Sequence, residues 1–169
     1  MKKLIINVVW LKRDLRTTDH QPFYRAESMD LPYLPIYIYD TELISSPDTS
    51  ERHLQFIYKS IIDINSKLCV FNKQIEIFYG RSIDIFEDLN KQFTIRNIFS
   101  HRESGIKASW DRDKKIKNFC DKNFIIWSEF QRDGVLRGIK NRKDWNKKWH
   151  LFMHKPLIKN VFKSQSKLK

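Results

Sequence analysis

The chain has 169 residues, 41% of them hydrophobic, and a formal net charge of +12. This length suits one folded domain with a sizeable core. No apolar stretch approaches the ~18 residues that a membrane-spanning helix requires, so we expect no membrane partner. The two cysteines, Cys69 and Cys120, are far apart and form no Cys-x-x-Cys pair. This spacing predicts a reducing, cytoplasmic location and no metal site.

The positive charge is concentrated at the carboxyl-terminal end. Residues 1–130 hold 20 Lys and Arg against 18 Asp and Glu, whereas residues 131–169 hold 12 against 2. We therefore expect a near-neutral domain over residues 1–130 and a basic extension over residues 131–169. The extension either contacts something anionic or is a solvated connector.

Apolar segments and helical patterns alternate along the near-neutral part. Strand patterns cover residues 4–10, 34–39, 74–79, 97–100 and 123–127.

Helical periods lie between these strands, over residues 54–68 and 83–93 and, less regularly, over 106–120. Ser50 and Ser82 stand where two of these helices need an N-cap. Strands that alternate with helices of this length form parallel sheets through right-handed crossovers. The sequence thus predicts an α/β fold with a doubly wound, five-stranded, Rossmann-like parallel sheet, followed by a basic helical extension.

The turns argue against several enzyme classes. With only four glycines, the chain contains neither Gly-x-Gly-x-x-Gly nor the Gly-x-x-x-x-Gly-Lys-Ser/Thr loop, which disfavours dinucleotide dehydrogenases and P-loop nucleotidases. It also contains no His-Glu-x-x-His helix, no Gly-x-Ser-x-Gly turn and no clustered Cys/His set. We expect no self-contained catalytic machinery for hydrolysis.

A charged loop follows the first strand. Trp10-Leu11-Lys12-Arg13-Asp14-Leu15-Arg16 places charge at the carboxyl end of a buried strand, where open α/β sheets bind their ligands. A solvated surface loop has the same composition, so both interpretations stay open. We expect Asp14 and Arg16 to hold the loop, by pairing with each other or with nearby backbone, rather than to contact a ligand.

This loop resembles the opening of the DNA photolyase and cryptochrome family, in which Trp/Phe-x-Arg-Arg-Asp-Leu-Arg follows the first strand. Lys12 stands for the family's usual first Arg, and His20 for its usual Asn. Later stretches are similar to family motifs in the same order, over residues 36–40, 50–57, 101–105, 112–113 and 127–149. The resemblance covers residues 4 to about 156, and on it the chain is identified as a member of the family.

The resemblance implies the amino-terminal domain of such a protein. In the family this α/β domain holds an antenna chromophore, a methenyltetrahydrofolate or a deazaflavin, and passes excitation to FAD in a larger helical domain that also accepts the DNA lesion. We therefore expect the antenna-chromophore-binding domain of a deoxyribodipyrimidine photolyase or cryptochrome-like protein. It would act in light-driven DNA repair or blue-light sensing only with the FAD-binding helical domain, which is absent from these residues, and would not be catalytically competent alone.

The matching positions predict chromophore contacts from a crevice at the strand ends, with Trp10 as a planar neighbour. The residues predicted to bind the cofactor are Lys12, Arg13, Asp40, His101 and Glu103.

Structural roles are the alternatives for several of these residues and for their neighbours. Glu103 either contacts the chromophore or anchors a loop. Arg112 and Asp113 are expected in a packing or domain-contact network. We expect Trp110 and Trp127 in the hydrophobic core, and Trp10 as well.

The basic extension contains a predicted amphipathic helix. Trp145, Trp149, Phe152 and Met153 form an apolar stripe, and the opposite face carries Lys143, Lys147 and Lys148. We expect the stripe to fold back on the α/β domain, with docking on the helical domain or self-association through Trp145 and Trp149 as alternatives. Lysines interleaved with aromatics also suit nucleic acid. The second functional hypothesis is therefore a free-standing interaction or nucleic-acid-binding module with an empty crevice.

Overall fold

Five parallel strands form one sheet in the computed structural model, which describes residues 3–47, 49–136, 138–166 and 168. The order across the sheet is β3-β2-β1-β4-β5. Strands β2 and β3 are added on one side of β1 and strands β4 and β5 on the other, so the switch point of the strand order lies between β1 and β4. The strands are β1 (Ile5–Leu11), β2 (Tyr33–Asp40), β3 (Glu76–Gly80), β4 (Thr94–His101) and β5 (Ile126–Phe130). The predicted fold class is confirmed.

Helices cover both faces of this sheet. Over the described residues they are α1 (Gln21–Glu27), α2 (Thr41–Ile44), α3 (Glu51–Leu68), α4 (Ser82–Gln92), α5 (Lys107–Lys122) and α6 (Trp145–Met153), with a 3-10 turn at Cys69–Phe71.

The pleat of β1 divides the core into two clusters, since successive side chains point to opposite faces. Val8 and Trp10 pack with residues of α4 and α5, including Phe86 and Ile116. Val9 and Leu11 pack with residues of α1 and α3 on the other face. Because β1 is buried on both faces, its sequence is apolar at every position except Asn7, whose side-chain oxygen accepts a hydrogen bond from buried Asn97 at 2.8 Å.

Three predictions of local structure need correction. The fifth strand begins at Ile126 rather than at residue 123, because α5 runs to Lys122 and Phe124 turns the chain with a φ of 57°. Ser82 is the first helical residue of α4 and not its N-cap; its backbone N–H and its hydroxyl both donate to Asp40. Trp110 is 55% exposed on α5, so its predicted place in the core is wrong.

Two further features complete the outline. Helix α1 was not indicated by hydrophobic periodicity; it is seven residues long, with Pro22 in its first turn and His20 as its N-cap. Ser50 does stand at the N-cap of α3 as predicted, and its backbone N–H donates to Nδ1 of His53 at 3.4 Å.

Among the described residues, no helix combines the length and the apolar character needed to cross a bilayer.

The segment after α6 returns to the body of the domain without forming a further helix or strand over its described residues. Asp19 and Ile158 are joined by two hydrogen bonds of 3.1 Å, and the Asn160 side chain bonds the backbone of His20 twice at 2.9 Å. Phe162 then packs against Phe23 at 5.4 Å between ring centroids. We call residues 158–166 the return segment.

Candidate functional site

A cavity of 530 Å³ opens at the carboxyl ends of the central strands, and we call it the strand-end cavity. Ligand pockets in proteins commonly lie between ~300 and 1,000 Å³, and open α/β sheets place them at this edge. The sheet contributes Trp10 and Tyr37, and α2 and α3 contribute apolar residues such as Leu43 and Leu54. The walls therefore combine aromatic rings, aliphatic side chains and the charged residues described below.

Lys12 is a buried cation at one side of this cavity. Its Nζ lies 3.1 Å from Oδ2 of Asp113 and 3.5 Å from Oε1 of Glu129. The same Nζ lies 4.4 Å from the centroid of Trp10 and 5.1 Å from that of Trp127. Because two carboxylates and two rings surround it, the ammonium is held in place before any ligand binds.

Glu103 is a buried carboxylate with two arginine partners. Nη2 of Arg112 lies 2.7 Å from Oε2, and Nε of Arg13 lies 3.0 Å from Oε1. Arg112 is itself buried and also bonds Asp113 at 2.7 Å. Burial opposes its charge, but Asp113 and Glu103 outweigh that effect and raise the pKa of Arg112. The side chain of Arg13 is 60% exposed, so its ion pair with Glu103 is the weakest in this group. Arg13 is therefore the residue of the group that can turn most easily towards a ligand.

Asp40 ends β2 and holds two helices to it. Its Oδ1 accepts the Glu42 N–H at 2.9 Å and so caps α2, while Oδ2 accepts the N–H of Ser82 at 2.9 Å and also its hydroxyl. The residue borders the cavity, but both oxygens already have donors. Its position is that of a wall residue whose orientation is set by the helices around it.

His101 ends β4 and belongs to a buried cluster beside the cavity. Its Nδ1 lies 2.6 Å from Oδ2 of Asp14, whose Oδ1 accepts the Lys12 N–H at 2.8 Å. Arg16 is bonded to Asp19, at 2.8 Å to its carbonyl oxygen. Asp14 and Arg16 are also joined directly, since the Arg16 N–H donates to the Asp14 carbonyl oxygen at 2.8 Å, while their side chains pair with other groups.

His20 completes this cluster from the start of α1. Its Nδ1 accepts the Phe23 N–H at 3.2 Å, so the neutral ring carries its proton on Nε2, 2.8 Å from Oδ2 of Asp14. That contact is short but poorly aligned, so it is a weaker hydrogen bond than the one between His101 and Asp14. Burial lowers the pKa of His20, while Asp14 opposes the effect. Burial by itself would raise the pKa of Asp14, but the bonds to His101 and His20 bring it well below its usual range.

The donor atoms of Asp14, His20 and His101 converge as metal ligands do, within 4.8 Å of one another. Distances of 2.6 and 2.8 Å between them are those of hydrogen bonds. A cation bound at 2.0–2.1 Å from each donor would need them about half an ångström further apart, and Nε2 of His20 would have to lose its proton. The cluster is therefore a hydrogen-bonded junction between the ends of β1 and β4.

The structure brings most of the predicted residues together. Lys12, Arg13, Asp40 and Glu103 border the strand-end cavity with Trp10, whereas His101 lies in the adjacent buried cluster. Whether they contact a chromophore stays a prediction.

Residues that sequence reasoning did not assign to the crevice supply much of its wall. Arg112 was expected in a packing or domain-contact network, and it also borders the cavity. The apolar residues of α2 and α3, such as Leu43, Ile44 and Leu54, had no motif to mark them. The sequence feature that could have assigned Arg112 to the crevice is the Arg112-Asp113 pair on α5, the helix that follows β4.

The predicted helix of the extension forms as α6, but none of its residues is fully buried. Trp145 and Trp149 stack with ring centroids 6.3 Å apart, and Trp149 lies against Gly134, where a Cβ would stand 2.1 Å from its ring. This contact of Trp149 is made within the extension, and the hydrogen bonds from the extension to the α/β domain described above come from the return segment.

Comparison with known families decides the assignment. The family model for DNA photolyase matches residues 7–152, most of the chain. The chain belongs to the DNA photolyase family. The matched stretch begins within β1 and ends in α6, so it includes most of β1 and all of β2 to β5.

Curated relatives of this photolyase-family chain are cryptochromes. The chloroplastic/mitochondrial cryptochrome DASH of Arabidopsis thaliana is 27% identical over 105 residues, 59% of this chain and 18% of the relative. Cryptochrome-1 of Aedes aegypti is 24% identical over 121 residues, 68% of this chain and 22% of the relative. The matched regions are thus about a fifth of the length of these proteins.

Solved structures show the same fold. A cryptochrome of Synechocystis sp. superposes with a TM-score of 0.77 at 18% identity, over 97% of this chain and 38% of that one. An archaeal photolyase of Sulfolobus tokodaii gives 0.71 at 20% identity, over 96% and 37%. The latter is described as containing two FAD molecules and as implying a novel light-harvesting cofactor.

Proposed function

We propose that the strand-end cavity binds a light-absorbing antenna chromophore, a folate or a deazaflavin. The observation that carries the proposal is the cavity itself, with its volume of 530 Å³ and aromatic wall. Buried charges that are already ion-paired, Lys12 and Glu103, provide fixed polar contacts in an otherwise apolar space. Such a site suits a planar ring system with a few polar substituents. The chromophore, when bound, supplies the light absorption; the protein supplies orientation and a dry environment.

The domain would work as part of a photolyase or cryptochrome, in light-driven DNA repair or blue-light sensing. A partner domain would hold FAD and receive the excitation, as the family resemblance implies. By itself the domain would not carry out repair. The free thiols of Cys69 and Cys120 are in keeping with a cytoplasmic location.

Absorption spectroscopy tests the chromophore proposal. The purified chain, or the chain incubated with methenyltetrahydrofolate and 5-deazariboflavin, is passed through gel filtration. We expect a near-ultraviolet to blue band that stays with the protein. Leu43→Trp, which fills the cavity, should abolish it, whereas Leu151→Trp on the exposed side of α6 should not. A bare protein spectrum with both compounds overturns the proposal.

A second candidate function, an interaction or nucleic-acid-binding module, is favoured by the charge of the extension. Among the described residues, the cations from Lys140 to Lys159 make no ion pair with a carboxylate at 4.0 Å or less. Cations without a carboxylate partner, such as Lys147 and Lys148 on the same helix as Trp145 and Trp149, suit an anionic partner. Retention on a phosphate-bearing polymer at 150 mM salt, lost when Lys143, Lys147 and Lys148 are changed to Gln, would support this function.

A further inference from the structure

The indole of Trp10 stands where an excited chromophore could be quenched. Trp10 is the penultimate residue of β1 and borders the strand-end cavity, and its ring packs edge-on against Phe86 at 5.1 Å. Trp127 lies 5.8 Å away, with its Nε1 donating to Ser100 at 3.0 Å. A second tryptophan at this distance extends the oxidisable surface away from the cavity.

Quenching by an indole is an electron transfer. One electron passes from the ring to the excited ligand, which leaves an indole radical cation and a ligand radical anion. The electron then returns, both molecules are restored to their ground states, and the excitation is lost as heat. A protein that transfers the excitation of its ligand to another site must therefore slow this electron transfer from the indole. The surroundings of Trp10 decide how easily its indole loses the electron.

Two buried cations contact that ring. Nζ of Lys12 lies 4.4 Å from the Trp10 centroid, and the guanidinium carbon of Arg112 lies 4.9 Å from it. Each is held there by a carboxylate, Asp113 for Lys12 and Glu103 for Arg112. A cation attracts the electron-rich face of a neutral ring and repels a ring that has become positive. Both effects oppose oxidation of the indole, although the carboxylates that hold the two cations offset part of their field.

We propose that Lys12 and Arg112 suppress electron transfer from Trp10 to an excited ligand of the strand-end cavity, so that its excitation remains available for transfer. This inference rests on the proposed chromophore site and gives the two cations a role beyond holding the ligand. It also explains why two charges are buried against one indole when a hydrophobic wall would cost less desolvation.

Fluorescence lifetimes test the inference. The probe is methenyltetrahydrofolate or 5-deazariboflavin, whichever the gel-filtration experiment retains. In Lys12→Gln we expect the lifetime of the bound probe to fall by at least about threefold, because the barrier to electron transfer drops. Adding Trp10→Phe should restore it. Lys12→Arg keeps the charge and should keep the lifetime, and Tyr37→Phe removes another oxidisable ring of the wall as a control.

The outcomes separate the two proposals. If neither probe is retained, the chromophore site itself is wrong, and this inference falls with it. If a probe is retained but wild type and Lys12→Gln have equal lifetimes, the site stands and the protective role is overturned. The same conclusion follows if Trp10→Phe does not restore the lifetime. Arg112→Gln carries the same expectation and replaces Lys12→Gln if that variant does not fold, as judged by circular dichroism.

Discussion

The ion pair between Arg112 and Glu103 should be strongly coupled in stability measurements. Replacing Arg112 with Met leaves the buried Glu103 with one partner, Arg13, whose side chain is 60% exposed. Asp113 keeps its contact with Lys12. An uncompensated buried charge costs about 3–5 kcal/mol, and the remaining arginine reduces this, so we expect a loss near the lower limit, about 3 kcal/mol.

The double variant separates the charge from the packing. Adding Glu103→Gln to Arg112→Met removes the carboxylate that was left without its partner, and the loss should shrink to about 1–2 kcal/mol. Urea unfolding followed by circular dichroism gives these values if all variants unfold in one cooperative transition. For a chain of this length, 3 kcal/mol corresponds to a melting temperature about 6–12 °C lower.

The controls for this cycle lie on the surface. Lys107 and Asp111 form an exposed pair one turn apart on α5, and Lys107→Ala should leave the unfolding midpoint unchanged. If the losses for Arg112→Met and Glu103→Gln add to within about 0.5 kcal/mol in the double variant, the two side chains are not coupled and the electrostatic account of the cavity wall is refuted.

Three further changes probe the junction, the return segment and α6. The pKa of His20 is lowered from 6.5 by burial, so below that pH the unfolded chain takes up a proton that the folded chain does not. Stability should then fall with decreasing pH by at most about 1.4 kcal/mol per unit, and His20→Asn should flatten this slope between pH 7 and 5 in urea unfolding. Phe162→Ala should cost about 1–2 kcal/mol in the same assay, because the ring is half-buried. Gly134→Ala should displace the Trp149 ring and speed proteolytic cleavage near α6 while the unfolding midpoint changes little.

Each of these has a matched comparison. A pH slope unchanged in His20→Asn would show that the histidine is not kept neutral by burial. Val161→Ala, at a side chain 63% exposed beside Phe162, should be near neutral, and a comparable loss there would contradict the packing argument. Trp149→Ala should speed cleavage as Gly134→Ala does; slow cleavage in both would show that this contact does not hold α6.

The fold could be predicted because its signals are local. A strand buried on both faces, such as β1, is apolar at nearly every position, and the helices beside it repeat their apolar residues every three or four positions. Helix α1 was missed because seven residues are too few to show a period, and β5 was placed three residues early because Phe124 is apolar yet lies in the turn after α5. Exposed Trp110 shows the same limit, since an aromatic residue at helical spacing does not reveal which face it occupies.

The sequence alone was enough to place the parallel sheet, the family and the loop at Lys12 and Arg13, because each is written in consecutive residues. The ion pairs of the site, in contrast, join residues that are far apart in the chain. Lys12 reaches Asp113 and Glu129 across the ends of three strands, and His101 joins Asp14 beside the cavity rather than lining it. No spacing encodes these contacts, since they arise only when crossovers bring β1, β4 and β5 side by side in the sheet. The strand-end cavity and the buried cations over Trp10 are therefore properties of the packed domain.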